Sequence, residues 1–212
     1  MIELPTVELP ISLYKRAIED GNSLHDDIIG EIQRKSIHFY SWLIEQQCNE
    51  EFFMWLGYND VRLIRYISCG KYTQAYRIND TRTGLMRVLK LSTLEDLIIK
   101  RKYRVVNSPI STYNNGTLSA AIAPFVFCQD YDHRTGVWAS DEADWTFPVK
   151  PWKISQLFTF IRKYITEHYK DMRLEDCHIG NMGFIPTSEV DLNKQTFEAR
   201  PVILDYGCVQ NY

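Results

Sequence analysis

The sequence predicts an α+β fold: helices first, then a run of short antiparallel strands, then a helix and two closing strands. Three observations carry this prediction. Before residue 60, apolar residues recur at three- and four-residue steps, the period of a helix with one buried face. After residue 60, the segments shorten, fill with β-branched and aromatic residues, and are separated by turn residues. Between 151 and 170 the helical period returns.

The elements follow in order. In the predicted helical segment 1–60, Ile28, Ile29, Ile32, Ile37, Tyr40, Leu43 and Ile44 share a stripe, and Gly57 with Tyr58, Asn59 and Asp60 ends it. Segments 61–67 and 73–78 read as a hairpin around Gly70. Residues 79–84 form a turn, and 85–91 a third strand. Ser92 and Glu95 fit a capping box, so a helix is predicted from there to about 106. Asn114, Asn115 and Gly116 are a turn between two more strands, 110–113 and 118–127. Residues 129–150 are polar and Asp-rich, as in a linker. The helix 151–170 carries Ile154, Leu157, Phe158, Ile161 and Ile165. A loop (171–181), a strand (182–185), a polar loop (186–200) and a strand (201–204) complete the chain.

Composition narrows the functional classes. With 45% hydrophobic and 24% charged residues among 212, the chain has the make-up of a folded domain rather than a disordered one. Lys and Arg total 24 against 27 Asp and Glu, a net charge of −3, which argues against a general affinity for nucleic acid. Cys48, Cys69, Cys128, Cys177 and Cys208 make an odd set without a Cys-x-x-Cys pair and read as reduced thiols, so a cytoplasmic location is expected. Neither a signal peptide nor a membrane span is predicted. The five histidines have no metal-ligand spacing, and no zinc is expected. The basic run 100–104 reads as a solvated helix face or as a contact for an acidic partner surface.

The chemistry-bearing residues lie near the end. Asp176 and Asn181 are five positions apart, and Asp205-Tyr206-Gly207 follows the apolar run Val202-Ile203-Leu204. Phosphoryl transfer needs a carboxylate to orient the attacking hydroxyl, and an amide and a second carboxylate to hold Mg²⁺ on the phosphates. Upstream, residues 67–76 read Ile-Ser-Cys-Gly-Lys-Tyr-Thr-Gln-Ala-Tyr, and Val88-Leu89-Lys90 ends the third strand. In this order the motifs resemble the protein-kinase-like fold over about 61–207. The form Asp176-x-His178-x-x-Asn181 is similar to the branch with aminoglycoside phosphotransferases and small bacteriophage kinases.

The resemblance implies a reduced kinase-like fold: an N-lobe 61–128 with a five-stranded antiparallel sheet and one helix, a hinge 129–150, and a minimal C-lobe 151–212. The apolar stripe of the helix 151–170 needs a cover, so the helical segment 1–60 is expected to pack there and replace part of the C-lobe, the alternative cover being a second copy or a host protein. It also implies ATP and Mg²⁺ as cofactors. Asp176 would orient the hydroxyl, and Asn181 and Asp205 would bind the metal. Lys90 would hold the phosphates, Gly70 and Tyr72 would cover the nucleotide, and Ala75 would lie against adenine. Glu95 either pairs with Lys90 or only caps its helix; His178 either contacts phosphate or braces its loop. Two loop glycines are replaced by Ser68 and Thr73, and Leu174-Glu175 precede Asp176 where the family has His-Arg or His-Gly. By resemblance the expected partner is a host bacterial protein, phosphorylated or, in a pseudokinase, only bound.

Overall fold

A computed structural model describes residues 4–22, 28–35, 39–69, 73–93, 107–128, 147–169, 172–174, 179–204 and 209–211. These form a mixed α+β structure with five helices and two main antiparallel sheets, of five and four strands. By internal contacts the chain divides into two units: Ala17–Lys102 with Ser108–Phe125, and Met1–Arg16 with Tyr103–Asn107 and Val126–Tyr212.

The first unit is built on strands β2 (Val61–Cys69), β3 (Thr73–Asp80), β4 (Met86–Ser92), β5 (Ser111–Asn114) and β6 (Ser119–Pro124), in the order β2-β3-β4-β6-β5. All five predicted strands are present. Their turns are fixed by side chains acting locally. Asp80 Oδ1 accepts from the Arg82 and Thr83 amides at 2.9 and 3.1 Å, and Gly84 takes φ 67°. Asn115 Oδ1 accepts from Thr117 and Leu118, and Gly116 takes φ 88°. The predicted strand 118–127 stops at Pro124; a proline lacks the N–H that a continuing ladder needs. The helix predicted after Ser92 lies outside the described residues.

Helices α1 (Ile11–Asn22), α2 (Ile28–Lys35), α3 (Phe39–Gln47) and α4 (Glu50–Tyr58) precede the sheet. Asn49 caps α4, its Oδ1 accepting from the Phe52 amide at 3.0 Å, and Glu50 and Glu51 sit favourably in the first turn. Ile29, predicted on the buried stripe, is 46% exposed, because α2 turns Ile32 inward instead.

Helices α2–α4 pack on the five-stranded sheet. Ile32, Ile44, Phe52 and Leu56 form one buried core with Leu63, Tyr76, Ile78, Leu89, Leu91, Leu118, Ala120 and Ile122 of the five-stranded sheet. A sheet with one apolar face needs a covering layer, and α2–α4 supply it. The first unit ends at Phe125. Phe127 and Cys128 form β7, paired with Phe184 and Gly183 of the other sheet.

In the second unit the sheet order is β1-β10-β9-β7, with β1 (Val7–Pro10), β9 (Met182–Pro186) and β10 (Thr196–Ile203). A separate pair joins β8 (Met172–Leu174) to β11 (Val209–Asn211). The sequence reading placed β1 in a helical segment and β8 in a loop, and it began β10 five residues late. Each of these strands is short or carries charges between its apolar residues; in β10, Phe197 and Ala199 are buried while Glu198 is exposed. Helix α5 (Ile154–His168) matches the predicted 151–170 and packs against β8 and the turn after it. Its stripe of Ile154, Leu157, Ile161 and Ile165 is at most 1% exposed.

Phe52 is the test of the helical cover. It is fully buried, with ring neighbours Phe53, Trp55 and Tyr113 at 5.2–6.0 Å. Phe52→Ala should lower stability by about 3–5 kcal/mol in urea unfolding; a loss under about 1 kcal/mol would show that α4 is not part of the sheet's core.

Candidate functional site

Strands β3, β4 and β6 pair without register shifts, so directly opposed residues stand in rows on one face of the sheet. One face carries Tyr76, Leu89 and Ile122 and is sealed by the helices. The opposite face carries three rows: Thr73–Ser92–Ser119, Ala75–Lys90–Ala121 and Arg77–Val88–Ala123. Lys90 therefore sits on the third strand of the sheet, flanked by two alanines and away from the greasy core. Lys90 and Ala75 are both half-buried.

Asn181 belongs to the other unit. It ends a short 3₁₀ turn, Ile179–Asn181, and leads straight into β9. Met182 pairs with Ile203 and Gly183 with Val202. One step further the Leu204 amide donates to the Asn181 carbonyl at 2.7 Å. In the sequence Asp205 follows Leu204 directly. On the other side of β10 the Asn107 amide donates to the Ile203 carbonyl at 3.0 Å. Val202, Ile203 and Met182 are fully buried, so this strand end rests on packed side chains.

Of the predicted site residues, Lys90 and Ala75 are brought together in one row, and Asn181 is tied to the residue before Asp205. Gly70, Tyr72, Glu95, Asp176, His178 and Asp205 lie outside the described residues. An amide oxygen and a carboxylate are the hard oxygen donors that Mg²⁺ takes, so Asn181 and Asp205 fit it by chemistry. Among the described residues no group of three or more His, Cys, Asp or Glu could hold a metal ion. Nor is any helix there long and apolar enough to cross a membrane.

Two residues escaped the sequence reading. Arg77 is fully buried on the Lys90 face, and Asn107 is fully buried beside the end of β10. The only sequence signal for Arg77 was a charge at an apolar-lined strand position. Burial, with Glu45 nearby, pushes the Cys48 thiol up to about 12, and it donates to the Ile44 carbonyl at 3.3 Å, which disfavours the reactive thiolate.

No protein-family model matches the sequence, and none of the curated proteins matches it.

Gly183 lies two residues past Asn181, where β7 crosses β9 closely. A Cβ there would collide with Val126 Cγ1 and stand 3.0 Å from the Phe127 carbonyl oxygen. Gly183→Ala should therefore cost about 1–3 kcal/mol in thermal or urea unfolding. A neutral substitution would mean that β7 yields freely.

Proposed function

We propose that this chain is a small kinase-like phosphotransferase that uses ATP and Mg²⁺, with a host bacterial protein as substrate and a bacteriophage as the source that the resemblance suggests. The observation that carries the reading is one hydrogen bond: the amide of Leu204, the residue before Asp205 in the sequence, donates to the Asn181 carbonyl. The placement of Lys90 between Ala75 and Ala121, on the face of the sheet away from the helices, supports it further.

In this reading Lys90 holds the α- and β-phosphates. Asp176 orients the attacking hydroxyl and accepts its proton. Asn181 and Asp205 hold Mg²⁺, which when bound neutralises charge developing on the phosphates. Catalysis of this kind is mostly positioning and electrostatics, so buried strands behind Asn181 serve it directly.

Incubation with labelled ATP and a bacterial lysate tests the reading. The wild-type protein should label one or a few host proteins. Asp176→Ala, Lys90→Met and Asp205→Asn should each lower transfer by on the order of a hundredfold or more. Full transfer by Asp205→Asn would remove the metal assignment.

A second reading, a pseudokinase that binds a host protein without transfer, is favoured by Ser68 and Thr73 in place of loop glycines, since side chains there limit how closely backbone approaches phosphate. Magnesium-dependent ATP binding without turnover is its signature, seen as a thermal shift.

A further inference from the structure

Strands β5 and β6 are joined by the turn Asn115-Gly116-Thr117-Leu118, closed by a hydrogen bond from the Asn115 amide to the Leu118 carbonyl at 3.2 Å. Of the ten asparagines in the chain, only Asn115 is followed by glycine. The reactivity of an asparagine side chain depends on the next amide nitrogen, and a glycine, with no Cβ, leaves that nitrogen open to approach. Gly116 takes φ 88°, and a Cβ on it would meet nothing within 4 Å. Gly116 and Thr117 are exposed, so water reaches the turn.

The turn engages both reacting groups. Asn115 Oδ1 accepts from the Leu118 amide at 2.7 Å and from the Thr117 amide at 3.0 Å. These bonds fold the carboxamide forward over the 115–116 peptide, since the ring that each one closes runs through the Gly116 nitrogen. They also aim two donors at the oxygen that becomes negative when the carboxamide carbon is attacked, as an oxyanion hole does. One bond acts the other way. Asn114 Oδ1 accepts from the Gly116 amide at 2.6 Å and so holds the proton that must leave.

We propose that Asn115 is a site of spontaneous deamidation, at which the native turn converts the carboxamide to aspartate and isoaspartate, with Asn114 as the brake. The Gly116 nitrogen loses its proton to hydroxide and attacks Asn115 Cγ. The new N–Cγ bond gives a tetrahedral centre whose charge rests on Oδ1. The Cγ–Nδ2 bond then breaks, and Nδ2 takes a proton from water and leaves as ammonia. Water opens the resulting cyclic imide. Attack at the side-chain carbonyl gives aspartate; attack at the main-chain carbonyl gives isoaspartate, with the chain now running through Cγ. In sum one water enters, one ammonia leaves and nothing is oxidised or reduced.

The two products act differently on the fold. Aspartate keeps an oxygen for the amides of 117 and 118. Isoaspartate lengthens the main chain between Asn114, which pairs with Ser119, and the fully buried Leu118. The same hairpin is tied to the helices. Thr117 Oγ1 donates to Gln47 Oε1 at 2.7 Å, and Tyr113 Oη donates to Oδ1 of Asn49, the cap of α4, at 3.2 Å. The isoaspartyl form therefore loosens the join between the helical cover and the sheet.

The test incubates the full chain in mildly alkaline buffer, native and in urea. It follows released ammonia, and the peptide containing residue 115 by chromatography and mass spectrometry. Native protein should convert first at 115, within about tenfold of the rate in urea. The rate should rise about tenfold per pH unit, as loss of a single weakly acidic proton requires. Asn114→Ala should convert severalfold faster than wild type in the native state and no faster in urea. Purified isoaspartyl protein should melt below the starting protein. Conversion in urea with native protein more than about tenfold slower shows that the turn protects the pair, and overturns the proposal. First conversion at another asparagine overturns it too. A cooperatively melting Asn114→Ala that converts no faster in the native state removes the brake. Should that variant fail to melt cooperatively, the wild-type comparison of native and urea rates decides.

Discussion

The uninterrupted register of β3, β4 and β6 is the constraint on which the first unit depends. Because side chains alternate along a strand, one register assigns every residue of three strands to a face at once. Tyr76, Leu89 and Ile122 are sent to the helices, and Ala75, Lys90 and Ala121 to the other side. A slip of one residue would bury Lys90 under α2–α4 and turn Leu89 and Leu91 outward. The helical cover is therefore more than a source of stability. It fixes which face is closed, and so which face carries the lysine.

The second unit uses a different device. Asn181 stands where a short 3₁₀ turn runs into a hairpin whose two strands are fully buried where they meet. The Leu204 amide reaches back to the Asn181 carbonyl, and Asn107 holds the opposite edge of Ile203. Gly183 lets β7 come close enough to close that sheet. In the proposed function Asn181 would hold a small hard cation, and backbone anchoring suits that role, since an error of about 1 Å in placement is costly in a positioning mechanism.

Much of the fold was legible in the sequence because it depends on local chemistry. The five strands of the first sheet, the turns at Asp80 and Asn115, and helix α5 follow from alternation, turn residues and helical period. The motifs are likewise local, since Asp176 to Asn181 and Val88 to Lys90 are spacings along the chain. Strands β1, β8 and β11 were not, since three or four residues with mixed polarity become strands only when a partner supplies the ladder. Arg77 was equally hidden. A charged residue in a strand reads as solvent-facing until a helix end from sixty residues earlier is seen lying over it.

By itself, then, the sequence determined the class of fold, the order of its elements, and that Lys90 stands on the third strand of the five-stranded sheet. Tertiary structure alone decided which surface each amphipathic helix covers. The apolar stripes of α2–α4 and of α5 record only that each must be buried. Hydrophobic burial is non-directional, so a stripe carries no address for its partner. The address came from the closed geometry of the first unit, where one apolar sheet face was available and α2–α4 had the shape to fill it.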